Sequence, residues 1–87
     1  MAELMNIGFG NLVNTDKIVA IITPDSAPAK RLMQHAKQEE RIVDATQGRK
    51  TRSILVMDQQ LVVLSALGPD TLAGRFHELL NGAEEKK

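Results

Sequence analysis

The chain contains no cysteine, which excludes disulfide frameworks, thiol nucleophiles and cysteine-based zinc sites. Tryptophan and tyrosine are also missing, and Phe9 and Phe76 are its two aromatic residues. Single-strand binders of the RRM and OB types stack bases on aromatic platforms, and this composition offers little to build one. The longest uninterrupted apolar run is Ile18-Val19-Ala20-Ile21-Ile22, whereas a membrane-spanning helix needs about 20 such residues. Glu3, Asn6 and Gly8 interrupt the first residues, so no signal peptide is expected. The expectation is a cytoplasmic protein with no membrane partner.

Charge of one sign is absent in sum, since 11 Lys and Arg balance 11 Asp and Glu. Its distribution is uneven. Residues 17–52 carry eight cations (Lys17, Lys30, Arg31, Lys37, Arg41, Arg49, Lys50, Arg52) against Asp25, Glu39, Glu40 and Asp44. The segments on either side are each net negative. A neutral chain can therefore present a basic face to an anionic partner. The 87 residues and 9.6 kDa allow one domain, which would bury about 63% of its extended surface on area scaling. Such a core is small, and partner subunits would add to it.

Leu4 to Ile7 reads as a short strand closed by a turn at Gly8 and Gly10. Extended structure then continues through Asn11–Val13 and Lys17–Ile22, where Ile18, Val19, Ile21 and Ile22 favour a pleated surface. Pro24 ends that strand. Ser26 is placed to cap a helix over about 26–39, with Pro28 tolerated in its first turn. Ala29, Leu32, Met33 and Ala36 recur at helical spacing on one face, and Lys30, Arg31, Gln34 and Lys37 take the other. Ile42-Val43 seeds another strand. Ser53–Met57 and Leu61–Ser65, separated by Asp58-Gln59-Gln60, read as a β-hairpin. Leu72, Phe76, Leu79 and Leu80 share one face of a second helix that starts at Gly68-Pro69 and leaves at Asn81-Gly82. The expected fold is α+β, a small mainly antiparallel sheet with two helices: one domain over residues 1–80, then a disordered tail over 81–87.

Among local motifs, Asp44-Ala45-Thr46-Gln47-Gly48-Arg49-Lys50-Thr51-Arg52 carries the most chemistry. Three cations crowd against a glycine and two threonines between strands. Such a loop offers long cationic side chains, hydroxyls and backbone N–H groups to phosphate oxygens. It is not a P-loop: Arg49, not lysine, follows Gly48, and Val43 occupies the place of the first glycine. Gly8-Phe9-Gly10 has two glycines of a dinucleotide fingerprint, but Val13 replaces the third and no βαβ unit follows. His35 and His77 lie on different helices without nearby ligands, so no metal site is expected. Ser26, Ser53 and Ser65 stand in no Ser-His-Asp context, and Glu39-Glu40 forms no plausible acid–base pair. The chain reads as a non-enzyme with no cofactor and no small-molecule substrate.

Three ordered blocks resemble a known family: Asn6-Ile7-Gly8-Phe9-Gly10-Asn11, then Pro24-Asp25-Ser26-Ala27-Pro28-Ala29-Lys30-Arg31, then Asp44-Ala45-Thr46 with Gly48-Arg49 and Thr51-Arg52. Asp58, Leu64-Ser65-Ala66 and Pro69-Asp70-Thr71 fit the same pattern, so the likeness spans residues 4–76. They resemble the RemA family, bacterial regulators of extracellular matrix genes. The resemblance implies a duplex-DNA-binding transcriptional activator of biofilm-matrix and osmoprotection genes. It also implies a ring-shaped homo-oligomer, of about seven or eight copies, around which DNA could wrap. Family DNA contacts fall on positions matching Lys17, Arg49 and Lys50, with Arg52 a further basic position in the same loop. The proline matching Pro28 is tied to function, which we read as helix geometry near a subunit contact. Lys17 and Lys50 stand where the family usually has arginine, and Gln47 where it often has tyrosine. Lysine keeps the charge but loses the planar fork, so phosphate attraction is better preserved than bidentate readout. Two alternatives stay open: a ring-forming protein-interaction module, and a small RNA-binding protein.

Overall fold

The computed structural model describes residues 3–85, with side chains described through Asn81. Two antiparallel strands, β1 (Leu4–Asn6) and β2 (Leu12–Asn14), form a hairpin of their own. The other four strands are β3 (Ile18–Ile22), β4 (Ile42–Asp44), β5 (Ser53–Met57) and β6 (Val62–Ser65). They make one sheet in the order β3-β5-β6-β4. Helix α1 (Ala27–Gln38) joins β3 to β4, and α2 (Pro69–Glu85) ends the described chain.

The mainly antiparallel α+β architecture is as expected, with three differences. First, β2 and β3 are not one extended run. Asn14 Oδ1 accepts the Asp16 N–H at 2.9 Å and starts a single turn over Thr15–Lys17. That turn carries the chain from the hairpin to the larger sheet. Second, β4 pairs with β6 in parallel, Ile42 opposite Val62 and Asp44 opposite Leu64. Third, α2 stays helical past Asn81-Gly82 to Glu85. A glycine inside a helix costs only about 1 kcal/mol, and Ala83-Glu84-Glu85 are good helix formers. Residues 86–87 of the expected tail lie outside the described residues.

Strands β5 and β6 read as almost unbroken apolar runs because both of their faces are covered, and alternate side chains then serve different layers. Leu55, Met57 and Val63 join Met5, Ile7 and Val13 of the hairpin and Leu72 of α2. Ile54, Val62 and Leu64 point the other way, onto Ala29 and Ala36 of α1. The sheet is thus the middle layer, with α1 on one face and the hairpin with α2 on the other. Burying a side chain such as Leu72 completely contributes about 1.5–3 kcal/mol.

Helix α1 follows its sequence signals closely. Ser26 Oγ accepts the Ala29 N–H at 3.2 Å, and Pro28 stands in the first turn. The face expected of α2 divides: Leu72 is buried and Leu79 packs against the core, while Phe76 and Leu80 stay exposed. Leu72 and Leu79 are two turns apart and share one line. Phe76 lies instead beside Thr15, Ile18 and Val19 at the rim of a shallow groove. The turn between β5 and β6 places both Gln59 and Gln60 at positive φ. Arg41 closes over this turn, donating to the Gln60 carbonyl and to Glu39 Oε1.

Candidate nucleic-acid interface

The basic loop arcs over one end of β6. Its first foot is the Ala45 N–H, which donates to the Leu64 carbonyl at 2.9 Å; its second is the Arg52 N–H, which donates to the Ser65 carbonyl at 2.9 Å. Between these consecutive carbonyls the chain makes one tight turn. The Arg49 N–H donates to the Thr46 carbonyl at 3.0 Å, and the central residues Gln47 and Gly48 have φ of 53° and 79°. Positive φ at both central positions defines the mirror-image type I turn, which explains the glycine.

A second clamp fixes the start of that turn. Thr46 Oγ1 and the Thr46 N–H both donate to Asp44 Oδ1, at 2.6 and 2.9 Å. The hydroxyl first, then the backbone N–H, hold the Asp44 carboxyl below its ordinary value of 3.8, against a small opposing effect of burial. Thr46 itself is buried, so the carboxylate satisfies a hydroxyl that would otherwise be stranded.

Arg49, Lys50 and Arg52 are all exposed. Among the described residues the ion pairs are Lys17–Asp58 and Arg41–Glu39, and neither involves these three cations. Lys50 and Arg52 stand on a ridge between two clefts. One cleft continues to Gly8, Phe9 and Leu67; the other reaches Thr23-Pro24-Asp25 and the start of α2 at Gly68-Pro69. The positive end of the α2 dipole adds to the cationic character there, and Asp25 subtracts from it.

Lys17 is not part of this cluster within one chain. It is the last residue of the β2–β3 turn, at the other end of the sheet, with Nζ 3.8 Å from Asp58 Oδ2. Ile18 pairs with Met57 at that end and Ile22 with Ile54 at the loop end, a strand length of roughly 13 Å. The Lys17–Asp58 pair is exposed on both sides and contributes little to stability.

Two features of the site escape sequence reasoning. The first is a pair of buried serines. Ser65 Oγ donates to the Ile7 carbonyl at 2.8 Å and accepts the Leu67 N–H at 3.1 Å, while Ser53 Oγ donates to the Leu67 carbonyl at 2.5 Å. Ser53 and Ser65 face each other across β5 and β6. They pin the hairpin and the Leu67 segment against the feet of the basic loop. The second feature is Phe9. Gly8, Phe9 and Gly10 all have positive φ, and the Asn11 N–H closes the turn on the Gly8 carbonyl at 3.0 Å. Gly8 is required by its backbone alone: its φ of +107° is a conformation that L side chains rarely adopt, whereas an added Cβ would meet Leu67 Cγ at 3.4 Å in ordinary van der Waals contact. Phe9 sits at the apex with φ of 55° and is 48% exposed. The Arg49 guanidinium carbon lies 6.0 Å from its ring centroid, within cation–π range. The available signal was an aromatic residue where such a turn ordinarily takes asparagine or glycine.

His35 and His77 are exposed on their helices. Among the described residues no three His, Asp or Glu side chains gather into a metal-holding group, and no helix is long and apolar enough to cross a membrane.

Comparison with known proteins shows the chain's relatives. A protein of Fervidobacterium nodosum is 50% identical over 86 residues, covering 99% of this chain and 92% of its own. One from Dictyoglomus thermophilum is 58% identical over 74 residues, covering 85% and 87%. Both are named in general terms as regulatory proteins, which supports a regulatory role. The family described as extracellular matrix regulatory protein A-like matches residues 4–76, a span holding every strand, α1 and the whole basic loop. The chain belongs to the RemA-like family.

Proposed function

We propose that this protein is a duplex-DNA-binding transcriptional regulator in which the Thr46–Arg52 loop rests on the phosphate backbone. The observation that carries the reading is the set of three exposed cations, Arg49, Lys50 and Arg52, on a turn fixed by Asp44, with no carboxylate among the described residues paired to them. A preformed cationic loop loses little freedom on meeting phosphates, and Arg49 adds a bidentate fork. The role is binding, not catalysis, in the cytoplasm. Matrix-gene promoters are the first targets to test, given the family's description.

One loop would hold about two or three phosphates, too few for tight binding at cellular salt. A ring-shaped homo-oligomer repeats the loop and gains avidity without new chemistry. One feature supports assembly: both edge strands expose an apolar side chain, Val19 on β3 and Val43 on β4. Repetition around a ring would bring copies of Lys17 to the same duplex as further backbone contacts.

Fluorescence anisotropy with duplex DNA across a salt series, for wild type and Arg49→Ala, tests the reading. Salt-sensitive binding is expected, with a log–log slope reduced in the variant by about 0.9 for each phosphate contact removed. No binding at low salt refutes it. Preference for single-stranded RNA over duplex DNA would replace it with an RNA-binding role.

A further inference from the structure

Phe9 is an anomaly on three counts. A bulky side chain at positive φ costs about 1–2 kcal/mol, and asparagine at the same place would form the turn without that penalty. The ring is half in solvent, so burial repays only part of the strain. Its position is also particular, in the cleft of Arg49, Lys50 and Arg52 with the Arg49 guanidinium over the ring. Strain kept at an exposed site beside a binding loop points to function.

We propose that Phe9 is the element of the interface that touches bases: an apolar wedge that enters the minor groove and partly unstacks one base step. The inference rests on the duplex-DNA reading above and extends it from charge to base contact. Gly8 and Gly10 have no side chains, so the turn presents one ring on a narrow backbone tip. The minor groove is about 6 Å wide, and proteins that kink DNA from that side do so with single apolar side chains flanked by cations. Arg49 and its neighbours would hold the phosphates beside the opened step. Arg49 against the ring also keeps the aromatic face oriented before DNA arrives. The chain's poverty in aromatics is no obstacle, because a wedge needs one ring where a stacking platform needs several. A wedge favours flexible pyrimidine–purine steps, so sequence preference enters through deformability and needs no hydrogen bonds to base edges.

Phe9→Asn is the informative variant, because it suits the turn and spares every cation. Duplex affinity is measured by anisotropy across salt, with thermal melting, assembly size by light scattering, and a duplex carrying 2-aminopurine at a TA step. The expected variant melts no lower than wild type, keeps its assembly size and salt slope, and binds roughly tenfold more weakly. Wild type raises 2-aminopurine fluorescence on binding, and the variant does not. Affinity within twofold of wild type, or an equal fluorescence change, overturns the wedge and leaves the phosphate-binding loop standing. A smaller assembly overturns it as well, since Phe9 would then be a subunit contact. Failure of wild type itself to bind duplex DNA removes the function and the wedge together.

Discussion

Ser65→Ala removes one oxygen and two hydrogen bonds from the centre of the molecule. Ser65 is fully buried, and its bond to the Ile7 carbonyl, 58 residues away in sequence, lies entirely inside. Deleting the hydroxyl strands that carbonyl, and a buried polar group without a partner costs about 1–3 kcal/mol. The Leu67 N–H, the other partner, is only partly buried, so its loss adds about 1 kcal/mol. The sum is about 3 kcal/mol, against a total of roughly 4–13 kcal/mol for a domain of this length. A melting midpoint lower by about 12–24 °C follows from usual unfolding entropies. Urea unfolding followed by far-UV circular dichroism is the assay, at one fixed protein concentration so that assembly does not shift the midpoint. Ser53→Ala is the internal comparison. It loses a single bond to the partly buried Leu67 carbonyl and costs about 1 kcal/mol. If Ser65→Ala unfolds within about 0.5 kcal/mol of wild type, the serines do not pin the hairpin to the sheet.

Two more substitutions test the turns around the site. Gly8→Ala puts a side chain at φ of +107° and is expected to destabilise by about 1–3 kcal/mol; Gly10→Ala, at φ of +77° and so nearer the left-handed region open to other residues, should cost about 1 kcal/mol, and equal losses in urea unfolding would refute the reasoning from φ. The Asp44 carboxyl is lowered from 3.8 on folding, so its contribution is fully present above that value and fades as pH falls through the folded one. Wild type should therefore lose more stability than Asp44→Asn on acidification below about pH 4, and parallel curves would show that the Thr46 bonds do not depend on the charge.

Much of the fold is legible in the sequence because its signals are local. Ser26, Pro28 and the 29-32-33-36 apolar spacing define α1, and the two β-rich runs around Asp58-Gln59-Gln60 define a hairpin. The basic segment is legible as a loop because Gly48 lies amid polar residues between strands. What escapes depends on pairings distant in the chain. Nothing near Leu12 says that it pairs with Asn6 and not with the larger sheet. Nothing near Ile42 says that its neighbour runs parallel. Ser53 and Ser65 look like ordinary strand serines until Ile7 and Leu67 are brought to them. Lys17 shares charge and expected role with Arg49, yet β3 holds it at the far end of the sheet. In the proposed ring its part in the site would come from neighbouring copies, which one sequence does not arrange.

The bonds that dock the N-terminal hairpin have a consequence for the birth of the molecule. Ile7 waits for Ser65, and the Asn6 carbonyl waits for the Arg75 guanidinium, 69 residues further on. At ribosomal rates of about 5–20 residues per second, Ser65 is joined to the chain roughly 3–12 s after Ile7. Until Ser65 emerges, Met5 and Ile7, buried in the finished fold, lack the surface that covers them. The segment carrying Phe9 is made well before the residues that hold it in place. The hairpin therefore docks only after Ser65 has emerged, and a nascent chain truncated before Ser65 has a basic segment with no hairpin seated beside it.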